Sequence, residues 1–152
     1  MPDLLTDALR QSTIATFENL AMMVAEATDD LPEEPWQPRV TSVRFDGGTD
    51  AWLELEVSQE LLPEVAQCML GHQGLISAAI TDDVLGELAN VIAGNLLAHL
   101  SATETVRLSP PRLEPCGIAR PPAAQACFVV DDCAVEARLY LQGPTGDSRS
   151  DR

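Results

Sequence analysis

The chain has 152 residues, 45% of them apolar, with 24 acidic against 9 basic side chains and a formal net charge of −15. That is the size and apolar content of one folded domain, which excludes wholesale disorder. Charge of this sign repels a phosphate backbone, so nucleic acid is excluded as a direct partner and a basic protein surface is favoured.

No apolar run reaches the ~20 residues that cross a bilayer. Asp3 and Asp7 stand where a secretory leader carries basic residues. The expectation is a cytoplasmic chain with no membrane partner. Leu5, Leu9, Ile14, Phe17, Leu20, Ala21, Val24 and Ala25 recur at helical spacing and predict a first helix over 4–28. Met22 and Met23 are expected to fill core gaps. Thr28-Asp29-Asp30 and then Pro32, Pro35 and Pro38 end the helix. Val43 and Phe45, and then Leu53, Leu55 and Val57, alternate with polar residues. Asp46-Gly47-Gly48-Thr49-Asp50 between them suits a turn, so the pair reads as a hairpin with one wet face.

A short helix over 59–70 follows, with Pro63 early in it and Gly71 and Gly74 after it. Thr81 is the predicted N-cap of a long helix over about 82–100, with Asp82 and Asp83 at its positive end. Beyond Ser101 come a short strand over 104–108, the proline-rich stretch SPPRLEPCGIARPP, and two strands over 125–131 and 133–141 joined by a tight Asp131-Asp132 turn. The polar residues 143–152 are expected to be a flexible tail, leaving a domain of 1–142. The order implies an α+β fold, an antiparallel sheet with long helices packed on it. Each half has a long helix followed by a strand pair. Phe17–Met22 is similar to Gly86–Val91, a hint of duplication.

Four cysteines, Cys68, Cys116, Cys127 and Cys133, show no CxxC pairing, and only His72 and His99 are available to join them. No zinc site is expected, and the thiols read as free. Trp36 and Trp52 are candidates for core packing or interface anchors. His99, near a helix C-terminus, suits the helix dipole better than catalysis.

The informative segment is Asp82–Leu97. On a helical wheel Val84, Leu85, Leu88, Val91, Ile92 and Leu96 gather on a broad face that must be core. Asp83, Glu87, Asn90 and Gly94 gather on a narrow stripe opposite, with Glu87 and Asn90 neighbours at i,i+3. Asn95 falls toward the apolar side and reads as a structural hydrogen bonder. Each glycine in a helix interior costs about 1 kcal/mol relative to alanine. Gly86 and Gly94 therefore need a reason, either close packing or an open surface over which a partner docks. An acid and an amide, with no histidine, serine nucleophile or metal cluster beside them, suit a substrate that brings its own reactive group. An aspartyl phosphate on another protein fits. The amide oxygen orients the attacking water, and the carboxylate pairs with a cation beside the phosphate.

Gly86-Glu87-Leu88-Ala89-Asn90-Val91-Ile92-Ala93-Gly94-Asn95 resembles the signature helix of the CheC/CheX/FliY phosphatases, a Glu-x-x-Asn core followed by a Gly-Asn pair. Val106-Arg107-Leu108-Ser109-Pro110 is similar to the strand after that helix. The resemblance implies a phosphatase acting on the aspartyl phosphate of a CheY-type response regulator. Glu87 would contact the regulator's lysine and Asn90 would orient the water, with Asp83, Gly86 and Gly94 in the docking surface. It implies no cofactor of the chain's own, the Mg²⁺ lying in the partner receiver domain. The first helix carries Glu18 but Ala21 where a second asparagine would stand, which favours the single-site, CheX-like branch and a homodimer. Two other readings remain open: a receiver-binding module without hydrolysis, and an acidic dimer of the secretion-chaperone kind, which would bind a secreted partner and leave phosphorylated receivers unchanged.

Overall fold

A computed structural model describes residues 3–31, 37–47, 50–71, 75–100 and 106–141. Trp36, His72, the centre of the 46–50 turn, residues 104–105 of the predicted strand and the 143–152 tail lie outside the described residues.

Helix α1 spans Leu4–Ala21, and its first turn is capped by Asp3, whose side chain accepts from the Thr6 N–H at 2.6 Å. It stops well short of residue 28. Met22 turns left-handed at φ 55°, and the Met23 N–H closes onto the Phe17 carbonyl at 3.1 Å. The chain then runs as strand β1, Ala25–Thr28. The predicted helical tail is thus a strand, because an open edge on β5 offers it a ladder, Ala25 opposite Val130 and Thr28 opposite Cys127. Met22 is left 78% exposed instead of filling the core.

Strand β2 (Pro38–Asp46) and β3 (Ala51–Ser58) form the expected hairpin, longer at its N-terminal end than the alternation alone suggested. Helix α2 spans Leu62–Leu70, with Pro63 in its first turn, where the missing N–H costs nothing, and a left-handed Gly71 after it. Helix α3 spans Ala78–Leu100 and starts a turn before the predicted cap. Ser77 supplies the cap, its hydroxyl accepting from the Ile80 N–H at 3.2 Å. Thr81 lies inside the helix and donates back to the Ala78 carbonyl. The strand after it, β4, is only Arg107–Leu108. Strands β5 (Ala124–Val130) and β6 (Cys133–Leu141) close on Asp131 and Asp132, both at positive φ, the geometry of a tight hairpin turn.

The six strands make one antiparallel sheet in the order β1-β5-β6-β3-β2-β4. Exchanging β1, β2, β3 with β4, β5, β6 reverses this order onto itself. The helix-then-strands repeat hinted at in the sequence is therefore present in the topology, with the β3–β6 pair at its centre. All three helices lie on one face, over Val43, Phe45, Leu53, Leu55, Val57, Phe128, Val130, Val135, Ala137 and Leu139, all buried.

The other face is covered differently. Residues 109–112 continue along the edge of β2, and the rest of the proline-rich segment, to 123, passes over this face on its way to β5. Arg112 pairs with Ser42, and the Cys116 N–H donates to the Glu54 carboxylate at 2.7 Å. Glu54, 4% exposed, also accepts from the Arg138 Nε at 3.0 Å, and Arg138 reaches Glu56 and Glu136 as well. Burial alone would push the Glu54 carboxyl up, but the Cys116 N–H and Arg138 together hold it below the ordinary carboxylate value.

Candidate functional site

Helix α3 is buried on most of its circumference. Val84, Leu85, Leu88, Ala89, Ile92, Ala93 and Leu96 are all in the core, while Val91, predicted with them, is only half-buried at the margin. That apolar packing sets the rotation of α3, and a polar seam joins it to α1. Asn95 Nδ2 donates to Thr16 Oγ1 at 3.1 Å, and Thr16 Oγ1 donates to the Ser12 carbonyl at 2.8 Å. His99 Nδ1 contacts the Asn95 carbonyl at 3.0 Å, which requires its proton there because a carbonyl only accepts. Asn95 is thus the structural hydrogen bonder its position on the wheel predicts, and His99 serves the same seam.

With α3 held in that rotation, the stripe Asp83, Glu87, Asn90, Gly94 faces outward. Asp83, Glu87 and Gly94 are exposed. At Gly94 an added Cβ would meet nothing within 4 Å, so the surface above it is open. Gly86 is different. It is buried, and a Cβ there would lie 3.1 Å from Pro111 Cγ. Its place is under the chain's own proline, which corrects the expectation that it belongs to the docking surface. The packing and access explanations therefore divide, Gly86 taking the first and Gly94 the second.

Asn90 is half-buried, not freely exposed as its place on the wheel suggests. Its Oδ1 is sealed from solvent and has no hydrogen-bond partner among the described residues. A buried carbonyl left without a donor costs on the order of 1–3 kcal/mol. Rotation about χ2, a soft torsion in asparagine, exchanges the amide oxygen and nitrogen without moving the helix.

On α1 the counterpart of this ridge lacks the amide. Glu18 is exposed, but Ala21 is fully buried, so α1 presents no second Glu-x-x-Asn pair. Asp82, beside the stripe, is engaged by Arg39 of β2. Next to Asp83 and Glu87 opens a cleft of about 480 Å³ between the ends of the helices, lined by Leu20, Met69, Leu70, Ile80 and Val84. No sequence signal marked this cleft, because its walls come from three separate helices. Among the described residues no three His, Cys, Asp or Glu side chains are grouped to hold a metal ion, and no helix is long and apolar enough to cross a membrane. Cys68 is an exposed free thiol, and Cys116, Cys127 and Cys133 are free and half-buried.

Residues 39–114, a stretch of 76 out of 152 and so half of the chain, match the family model described as chemotaxis phosphatase CheX. The stretch includes Glu87, Asn90 and Gly94. Among solved structures, a chemotaxis protein CheX from Desulfovibrio desulfuricans superposes with a TM-score of 0.73 at 16% identity, covering 91% of this chain and 99% of that one. A chain of the CheX–CheY–BeF₃–Mg²⁺ complex from Borrelia burgdorferi gives 0.66 at 13% identity, with 90% and 97% covered. FliY from Thermotoga maritima gives 0.59 at 17% identity, with 93% and 91% covered. At these identities the likeness is one of fold. No curated protein matches the sequence.

Proposed function

From the premise that the chain belongs to the chemotaxis phosphatase CheX family, we propose that it hydrolyses the aspartyl phosphate of a CheY-type receiver domain, with Glu87 anchoring it to the receiver and Asn90 orienting the water. The observation that carries this reading is the ridge on α3: an exposed carboxylate and, one turn on, an amide, beneath an open surface at Gly94. The Borrelia relative's complex, in which CheX meets CheY with magnesium and beryllofluoride, a mimic of a phosphoryl group, supports the choice of partner.

The chemistry asks little covalent work of this chain. The ridge enters the receiver's phosphorylated pocket, and the Glu87 carboxylate pairs with a cationic side chain there. The Asn90 amide turns its oxygen toward the pocket, where it accepts from a water and aligns it with phosphorus. Water attacks in line, the bond from phosphorus to the aspartate oxygen breaks, the aspartate leaves as a carboxylate, and orthophosphate departs. Mg²⁺ supplied by the receiver neutralises the phosphoryl charge. The orphaned Oδ1 suits this role, since a partner water would restore the hydrogen bond it lacks. We also place the chain in the cytoplasm with its receiver and take it to be a homodimer; among the described residues the outer edge of β1 is unpaired.

The test is the decay of a phosphorylated cognate receiver. Wild type is expected to accelerate it. Asn90→Ala should return the rate to that of the receiver alone, a loss on the order of 10²-fold or more by analogy with removing an aligned polar group. Glu87→Ala should raise KM as well as lower the rate. Variants that both match wild type would sink the assignment. Retained binding without any acceleration by wild type would instead make the chain a receiver-binding module.

A further inference from the structure

We propose that the cleft beside the ridge, between the C-terminal ends of α1 and α2 and the N-terminal half of α3, is a second anchoring point for the receiver. It takes an apolar side chain flanked by a lysine or arginine on the surface next to the phosphorylated pocket. The inference rests on the phosphatase reading and extends it from the reacting atoms to how the partner is gripped.

Its walls are Leu20 from α1, Met69 and Leu70 from α2, and Ile80 and Val84 from α3. Leu70 is 56% exposed there. An open apolar recess of this kind is kept out of the core at a cost in hydrophobic free energy that a bound side chain recovers. Among the described residues its charged lining is Asp83 and Glu87, both acidic and one helical turn apart. Like charges at i,i+4 weaken a helix slightly. Among the described residues neither acid has an ion-pair partner, whereas their neighbour Asp82 is held by Arg39. An apolar floor under two unpaired carboxylates matches the shape of a long basic residue lying beside an apolar one, its aliphatic stem on the floor and its charged end at the rim. Glu87 is shared between cleft and ridge, so the recess is continuous with the proposed catalytic surface. Under that reading Glu87 is already committed to the pocket lysine, which leaves Asp83 for the second cation. The chain's net charge of −15 steers a basic surface toward it.

The experiment measures Kd for the cognate receiver loaded with beryllofluoride and Mg²⁺, and in parallel the steady-state dephosphorylation of the phosphorylated receiver. Leu70→Asp, at an exposed position, should raise Kd and KM about tenfold with kcat within about twofold, the loss of one apolar contact. Asp83→Asn should raise them about threefold and reduce their dependence on salt. Glu60→Gln, in the exposed turn between β3 and α2 and lining neither cleft nor ridge, is the control and should change nothing. Kd unchanged in both Leu70→Asp and Asp83→Asn overturns the cleft, even where Asn90→Ala still abolishes turnover. Wild type that neither binds nor dephosphorylates the receiver overturns the phosphatase reading and the cleft with it. A fall in kcat with unchanged Kd in Leu70→Asp also overturns it, since that would place Leu70 in support of the ridge and not in docking.

Discussion

The two glycines of α3 offer a sharp test, because one substitution chemistry meets two different surroundings. Alanine in place of glycine in a helix interior is worth about 1 kcal/mol in backbone entropy. At Gly94 nothing within 4 Å of the new methyl opposes that gain. Gly94→Ala should therefore stabilise the fold by ~0.5–1 kcal/mol, which for a domain near 150 residues raises Tm by roughly 1–4 °C. At Gly86 the same methyl lies 3.1 Å from Pro111 Cγ and 3.3 Å from Pro111 Cβ. A proline ring has no free end to swing away, and overpacking costs on the order of 1–3 kcal/mol. The net for Gly86→Ala runs from near zero to about 2 kcal/mol of destabilisation, so Tm holds or falls. The assay is thermal unfolding by calorimetry or circular dichroism at neutral pH, with both variants run beside wild type. A Gly86→Ala rise equal to that of Gly94→Ala would refute the assignment of Gly86 to packing. A larger side chain, Gly94→Leu, should keep the fold and lose receiver dephosphorylation. Full activity in that variant would show that no partner approaches the ridge at this point.

Four further outcomes follow from particular contacts. Asn90→Ala removes the orphaned Oδ1, whose burial costs ~1–3 kcal/mol, and substitutes a better helix former. Its Tm should rise while its phosphatase activity is lost, and a fall in Tm would mean that the amide has a structural partner. Arg138→Met strands the Glu54 carboxylate, 4% exposed, without its cation and should destabilise by ~3–5 kcal/mol in urea unfolding. Glu54 is held below its ordinary value of 4.5, so its contribution is complete above that pH and disappears as pH falls through the lowered folded value. Glu54→Gln should accordingly flatten the loss of Tm below about pH 4.5, and an unchanged acid limb would show that other carboxylates dominate it. Among the thiols, burial pushes Cys116 up to about 11, whereas Cys68 is exposed. Iodoacetamide at pH 7.5 should modify Cys68 first by mass spectrometry, with Cys116 resistant until the chain unfolds.

Much of the fold can be read from periodicity. Alternation over 43–57 and 125–141 places the hairpins, and the Asp131-Asp132 turn falls where two polar residues separate apolar runs. The errors gather at element ends. Leu20–Ala25 fits either a helix or a strand by apolar content, and only the free edge of β5, about a hundred residues away in sequence, decides for β1. Thr81 has cap chemistry but lies within the helix, because Ser77 earlier in the chain caps it. On α3 the wheel places Asp83, Glu87 and Gly94 outward and most of the core inward as observed, but Val91 and Asn90 both come out half-buried at the margin between the two.

What local pattern cannot supply is anything created by a neighbour from elsewhere in the chain. Glu87 and Asn90 are adjacent on a helix whatever surrounds it, because a backbone rising 1.5 Å per residue makes i and i+3 neighbours. Whether Gly86 is open or covered depends on Pro111, whether Asn90 Oδ1 is free depends on what packs beside it, and the cleft exists only where three helices end together. Periodicity is a short-range property, set by backbone geometry and recorded in every turn of the helix. Burial and access are sums over contacts between distant segments, and they acquire values only once the sheet order has brought those segments side by side.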